Sequence, residues 1–228
     1  QPADRCRLWH GGWDYLFDWL WPDAYGYTWQ LHEPDHHVNS LMAVAMVRGY
    51  EVTGKKEYLD SAAMFVYNLI PKYGFHTGIW EGQRYYWTEY NPTGSGNPTM
   101  DATDNIQSLV AQAVAMVGYY RKDPALLEYA RGLLWYIIRE FETDGRWYYD
   151  GAENPLNQRK AISHDMAVLD PAMGAMPYLI KGGASNEELE EALLKPLRWY
   201  LDSWDSLKEE RFFRAWKFPS NQGTAQNY

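Results

Sequence analysis

An all-α fold of about three helical hairpins, arranged as an incomplete α/α toroid, follows from three observations on this sequence. Wholly apolar helical stretches alternate with amphipathic ones, the alternation occurs three times, and each pair leads into an aromatic, strand-like loop. A helix that is apolar around its circumference is buried on all sides, whereas its amphipathic partner shows one face to water. Alternation of the two kinds is the pattern of a toroid whose inner helices run parallel while the outer helices run back. A solenoid of the tetratricopeptide kind shows two similar amphipathic helices instead.

The elements follow in order. Residues 38–52 read as the first inner helix, apolar nearly all round, and Thr53-Gly54-Lys55-Lys56 punctuates its end. Residues 57–72 place Tyr58, Leu59, Ala62, Phe65, Val66 and Leu69 on one stripe and Glu57, Asp60, Ser61 and Asn68 on the other, which is an outer helix. The second pair is 106–117 followed by 126–138, with Lys122-Asp123-Pro124 between them; Pro is at home in a first helical turn. The third is 166–180, rich in Ala and Met, then a Gly182-Gly183-Ala184-Ser185-Asn186 turn and cap, then the charged outer helix 187–204.

A shift of 68 residues superposes Ser40, Leu41, Ala43, Ala45, Leu59, Ala62 and Ile70 on Ser108, Leu109, Ala111, Ala113, Leu127, Ala130 and Ile138 without a gap. This internal repeat is longer than the roughly 33 to 47 residues of common helical repeats because of the aromatic loops at 79–92, 145–151 and 211–216. The chain divides accordingly into an aromatic segment 1–35 that packs on or across the cleft, a toroid domain 36–218 and a tail 219–228. The first of these carries Trp9, Trp13, Trp19, Trp21, Tyr25, Tyr27 and Trp29.

Composition narrows the function. Of 228 residues 17% are aromatic, among them 12 Trp and 19 Tyr, more than a core of this size needs, which leaves flat amphipathic rings for a cleft. Thirty acidic against 21 basic residues give a net charge of −9, so a nucleic acid or anionic membrane has no electrostatic footprint here. One cysteine, Cys6, excludes an intramolecular disulfide framework and a thiolate metal cluster. No apolar run approaches the about 18 residues of a membrane span. The start at Gln1 and the lack of any Asn-x-Ser/Thr acceptor fit a secreted or periplasmic bacterial chain, or a trimmed one.

If the inner helices are parallel, the residues just before each of them line one cleft, and those residues are polar. Glu33, Asp35, His36, His37 and Asn39 precede the first, Asp101, Asp104 and Asn105 the second, and Ser163, His164 and Asp165 the third. Helix capping accounts for some Asp, Asn and Ser in these places, but not for histidines, which are unfavourable at a helix N-terminus when charged. His36 and His37 with His164, Asp35 or Asp165 have the types of a metal site, but neighbouring helical residues point about 100 degrees apart. They therefore lack same-face ligand spacing, and no metal or other cofactor is expected beyond a structural cation such as calcium. General acid and base work suits these histidines better. Trp80, Tyr85, Tyr86, Trp87, Tyr90, Trp147, Tyr148 and Tyr149 lie in the loops, where each either stacks on sugar rings at the rim or packs the hairpins together.

With hairpin periodicity and polar inner-helix starts, residues 36–218 resemble the α/α-toroid carbohydrate-active enzymes, a class shared by polysaccharide lyases and glycoside hydrolases. In its lyases, the resemblance implies, Asn, Gln, Arg or His neutralises a uronate carboxylate, Tyr or His removes the C5 proton and Tyr protonates the leaving oxygen. His36, His37, Asn39, Tyr86, Asn105 and His164 are the residues here for those roles, with Arg84, Tyr90, Trp80, Tyr85, Trp87, Trp147 and Tyr148 on the substrate. In its glycosidases two carboxylates about 6.5 to 9.5 Å apart invert the sugar, and Asp101 or Asp104 with Asp165 or Glu89 fits that role. A lyase acting on a uronic-acid polysaccharide is the leading reading. A two-carboxylate hydrolase is the alternative, with a non-catalytic carbohydrate-binding repeat protein or an epimerase after it.

Overall fold

The computed structural model describes residues 36–68, 75–88, 103–144, 147 and 162–202, and for 68, 75, 143, 144 and 162–165 the backbone alone. Six helices and one two-stranded sheet make up these residues: α1 His36–Thr53, α2 Lys56–Asn68, β1 Phe75–Trp80, β2 Gln83–Thr88, α3 Asp104–Arg121, α4 Pro124–Asp144, α5 Ile162–Lys181 and α6 Glu187–Asp202. The fold is mostly helical, as the sequence predicts. The expected strand-like character of 79–92 takes the form of an antiparallel hairpin that begins earlier, at Phe75, and pairs Thr77 with Tyr86 and Ile79 with Arg84. Its two-residue turn has positive φ at both Glu81 (48°) and Gly82 (82°), the mirror-image turn whose twist suits a hairpin.

Four helix ends have a clear local cause. Lys122 takes the left-handed conformation after α3, and Lys122 N–H donates to the Tyr119 carbonyl while Asp123 N–H donates to that of Gly118, a Schellman ending. Asp123 then caps α4: its Oδ1 accepts from Ala125 N–H at 3.0 Å and Leu126 N–H at 3.3 Å, with Pro124 in the first helical position. The same device ends α5, where Gly183 has φ 73° and Ala184 N–H reaches back to Leu179, and Asn186 Oδ1 caps α6 through Leu189 N–H at 3.0 Å. α5 runs through Pro171 and Pro177, each of which forgoes one helical hydrogen bond.

Three hairpins result, α1–α2, α3–α4 and α5–α6, with α3 packed between α1 and α5. Residue numbers rise together along both inner pairs. Ser108 lies at Val168 and Gln112 against Gly174, while His36 and Gln107 share Thr88 and Tyr50 meets Tyr120. The inner helices are therefore parallel, and all their N-termini fall at one end. The core is centred on α3 and α4, where Val110, Val114, Met116, Leu133, Leu134 and Ile137 are buried. At the surface Arg121 pairs with Asp60 of α2.

One helix departs from the expectation. α1 was expected to be buried on every side, yet Leu41, Ala45, Arg48 and Val52 are exposed, so only one face reaches the core. With α3 central and α1 at the end of the row, no second inner helix among the described residues covers that side.

Candidate functional site

The N-terminal end of the inner helices concentrates buried polar side chains in an otherwise apolar layer. His36, Asn39 and Ser40 of α1, Thr88 at the end of β2, and Thr103, Asp104, Gln107 and Ser108 at the start of α3 are all buried. Thr88 joins the two helices. Its N–H donates to Gln107 Oε1 at 2.8 Å, its carbonyl accepts from Gln107 Nε2 at 2.7 Å, and its Oγ1 lies 3.2 Å from His36 Nδ1. A side-chain amide that takes both backbone groups of a strand residue acts as one more rung of a ladder, and it fixes where β2 ends relative to α3. The His36 ring also lies 6.3 Å from that of Phe65, which places α2 behind it.

Three oxygens at this end stand apart. Ser40 Oγ, Thr103 Oγ1 and Asn105 Oδ1 are buried and have no hydrogen-bond partner among the described residues. A buried polar atom without a partner costs about 1 to 3 kcal/mol, so each of these oxygens is a place where a hydrogen-bond donor would add stability. Ser108, which the repeat equates with Ser40, shows the satisfied version, its hydroxyl donating to the Val168 carbonyl at 2.5 Å.

His37, half-buried, carries the electrostatic signature of the site: burial lowers its pKa below the ordinary histidine value, which keeps the ring neutral at pH 7. A neutral imidazole can accept a proton. Asp104 is the first residue of α3, where the positive end of the helix dipole favours a carboxylate. The cap itself is Thr103, whose side chain makes no capping bond.

The predicted site residues are thus partly gathered and partly dispersed. His36, His37, Asn39, Asp104 and Asn105 share the N-terminal end, but inside the first turns of α1 and α3 instead of before them, because both helices start earlier than their apolar runs. His164 and Asp165 fall in the first turn of α5, at the same end of the parallel row, by their backbone. Tyr86 belongs elsewhere. Its ring fills the space over Gly132, where an added Cβ would lie 2.0 Å from Cδ2, and it meets Tyr129 edge-on at 5.1 Å. It packs the sheet onto α4.

Of the loop aromatics, each expected either to stack on sugar or to pack the hairpins, three pack on α4 or in the core: Trp147, Tyr85 and Trp80. Trp147 is a core residue: fully buried, it stacks near Tyr200 and donates Nε1–H to the Ile137 carbonyl at 2.8 Å. Tyr85 lies 6.1 Å from Tyr136 with the Arg139 guanidinium over its face at 5.3 Å, and Trp80 lies 6.4 Å from Trp135, so both pack on α4. Trp87 stacks on His76 at 3.8 Å, half-buried, and Arg84 is exposed. Tyr90, Tyr148, Tyr149, Glu89, Asp101, Glu33, Asp35 and the segments 1–35 and 203–228 lie outside the described residues.

Thr88, Gln107, Thr103 and Ser40 were not among the candidates. Gln107 and Ser40 had a signal, a polar residue set within an apolar inner helix, and Ser40 recurs in the repeat. Among the described residues no three His, Cys, Asp or Glu side chains gather to hold a metal ion, and no helix is long and apolar enough to cross a membrane. Compared with known proteins, the chain matches no family model, no curated protein and no solved structure.

Proposed function

We propose that this protein is a carbohydrate-active enzyme whose cleft lies at the N-terminal end of the parallel inner helices, and that it cleaves a uronic-acid polysaccharide by β-elimination. The observation that carries the reading is the set of buried, unpartnered oxygens of Ser40, Thr103 and Asn105 at the same end as a neutral histidine. Hydroxyl and amide oxygens of this kind find partners in a polyhydroxylated ligand, and a neutral His37 supplies the base. In the reaction the C5–H proton passes to the base, its electron pair forms the C4–C5 double bond, and the C4–O bond breaks with a proton delivered to the leaving oxygen. The C5 proton is acidic enough only when the uronate carboxylate is masked, for which Asn39 and Asn105 are the available amides. On this reading a toroid built by closing the inner row would enclose the substrate, and no cofactor is required.

A second reading is favoured by the buried Asp104 carboxylate, which suits the acid of a two-carboxylate hydrolase. A panel of uronic-acid polysaccharides and neutral glycans, read for unsaturated-product absorbance and reducing ends together, tests both. The elimination reading expects the two signals in step, abolished by His37→Ala and retained by Tyr86→Phe. Reducing ends without absorbance would replace it with hydrolysis at Asp104, and silence in both channels would leave a binding protein.

A further inference from the structure

The two repeats treat the same stripe of the inner helix differently. Leu41, Ala45, Arg48 and Val52 follow one another at steps of four, three and four along α1, which puts them on one face, and all are exposed, Val52 to 86%. The 68-residue repeat assigns the same positions of α3 to Leu109, Ala113, Met116 and Tyr120, and the first two pairs are identical residues. In α3 the first three are buried, and Tyr120 meets Tyr50 of α1 at 5.2 Å and donates to Glu51 of α1 at 2.9 Å. The stripe that is covered in α3, with Tyr120 on α1, is the stripe that α1 leaves largely exposed, where among the described residues Arg48 alone finds a partner on another helix, the Tyr178 hydroxyl of α5.

At the far end of the row α5 leaves a stripe of its own. Met166, Asp170, Pro177 and Ile180 are exposed and Met173 is half-buried, again at steps of four, three, four and three. One more inner helix laid on either stripe would repeat the side-by-side packing of α1 on α3 and of α3 on α5. We infer that a second copy of this chain provides it: the α1 stripe of one copy docks on the α5 stripe of the next, head to tail, extending the inner row by the interface the chain already makes twice. Such a contact is heterologous, with different surfaces meeting, so each copy uses α1 towards one neighbour and α5 towards the other.

Level follows from the repeat. Gly174 lies against Gln112, the counterpart of Val44, which sets Ala45 of one copy beside Met173 of its neighbour. The test uses the full chain with Cys6→Ser, its mass in solution measured across concentration, and a short thiol cross-linker. Wild type is expected to assemble, and Val52→Glu and Ile180→Glu each to reduce the mass towards the monomer with the helical circular dichroism unchanged. A mixture of Ala45→Cys chains with Met173→Cys chains should cross-link, whereas neither alone should; this arm stands even where a glutamate variant unfolds. A wild type that stays monomeric at high concentration would overturn the proposal and leave the stripes to another segment or partner. So would cross-linking of Ala45→Cys with itself, since that is an α1-to-α1 contact.

Discussion

Both ends of the inner layer carry polar side chains, and the two treat them in opposite ways. At the C-terminal end Glu51 of α1 accepts from Tyr178 of α5 at 2.6 Å, from Tyr120 of α3 at 2.9 Å and from Arg48 at 2.8 Å, and Arg48 also donates to the Tyr178 hydroxyl at 2.6 Å. Beside it the rings of Tyr50, Tyr119, Tyr120 and Tyr178 pack on one another, with centroids 5.0 to 6.2 Å apart. One carboxylate thereby ties all three inner helices, and every partner is supplied from within the chain. At the N-terminal end Thr88 joins α1 to α3 and Ser108 joins α3 to α5, while the oxygens of Ser40, Thr103 and Asn105 have no partner among the described residues. A network that is closed rigidifies; one left open within a buried layer costs stability and is retained where something else completes it.

The largest stability effect belongs to the closed end. Glu51→Ala should cost about 1 to 2 kcal/mol, below the full value of charged hydrogen bonds because water still reaches the carboxylate, measured by denaturant unfolding. The pH dependence carries a sign. Burial alone pushes the Glu51 pKa up, but the hydrogen bonds from Tyr178, Arg48 and Tyr120 outweigh it and hold it below the ordinary value. The folded carboxylate therefore binds its proton less readily than the unfolded one. Its contribution is present above the unfolded glutamate pKa and is lost as pH falls through the folded one, so the Glu51→Ala deficit should shrink in acid. At the alkaline side Tyr120, pushed up to about 12 by burial and by its bond to Glu51, keeps the hydroxyl proton that it donates to the Glu51 carboxylate well beyond neutral pH.

Smaller effects sharpen the contrast within the repeat. Ser108→Ala removes a made hydrogen bond to Val168 and should cost about 1 kcal/mol. Ser40→Ala, at the equivalent position, removes a hydroxyl that has no partner among the described residues and should change stability by less than about 0.5 kcal/mol, or raise it. The same Ser40→Ala should weaken oligosaccharide binding in a calorimetric titration. Equal stability losses for the two serines would erase the distinction between a satisfied position and a waiting one.

Much of the fold was legible because helical periodicity is local. The inner run 106–117 appears within α3, and Lys122-Asp123-Pro124 becomes the Schellman ending and cap that its composition suggests. What was not legible depends on distant partners. Whether Tyr86 faces substrate or core is decided by Gly132, the one residue on α4 without a side chain in its way, and nothing near Tyr86 in the chain announces it. Trp147 is likewise assigned by the Ile137 carbonyl and Tyr200. The candidate site was half legible: polar residues at inner-helix starts were visible, while the Thr88–Gln107 link joins a strand end to a helix interior and has no spacing rule. Burial on all sides was expected of α1 because its sequence is apolar nearly all round, but periodicity does not say how many neighbours a helix has, and Leu41, Ala45, Arg48 and Val52 are exposed.

On the proposed reading the N-terminal end of the inner layer does the chemistry and the C-terminal end holds the helices together. Turnover per folded molecule of His37→Ala and of Glu51→Ala, measured beside their unfolding midpoints on a uronic-acid polysaccharide, tests it most directly. His37→Ala should lose roughly 10²- to 10⁴-fold in turnover with its midpoint little changed, as expected for a general base, whereas Glu51→Ala should lose midpoint and keep turnover. Full turnover in His37→Ala, or a Glu51→Ala protein that is folded and inactive, would contradict it.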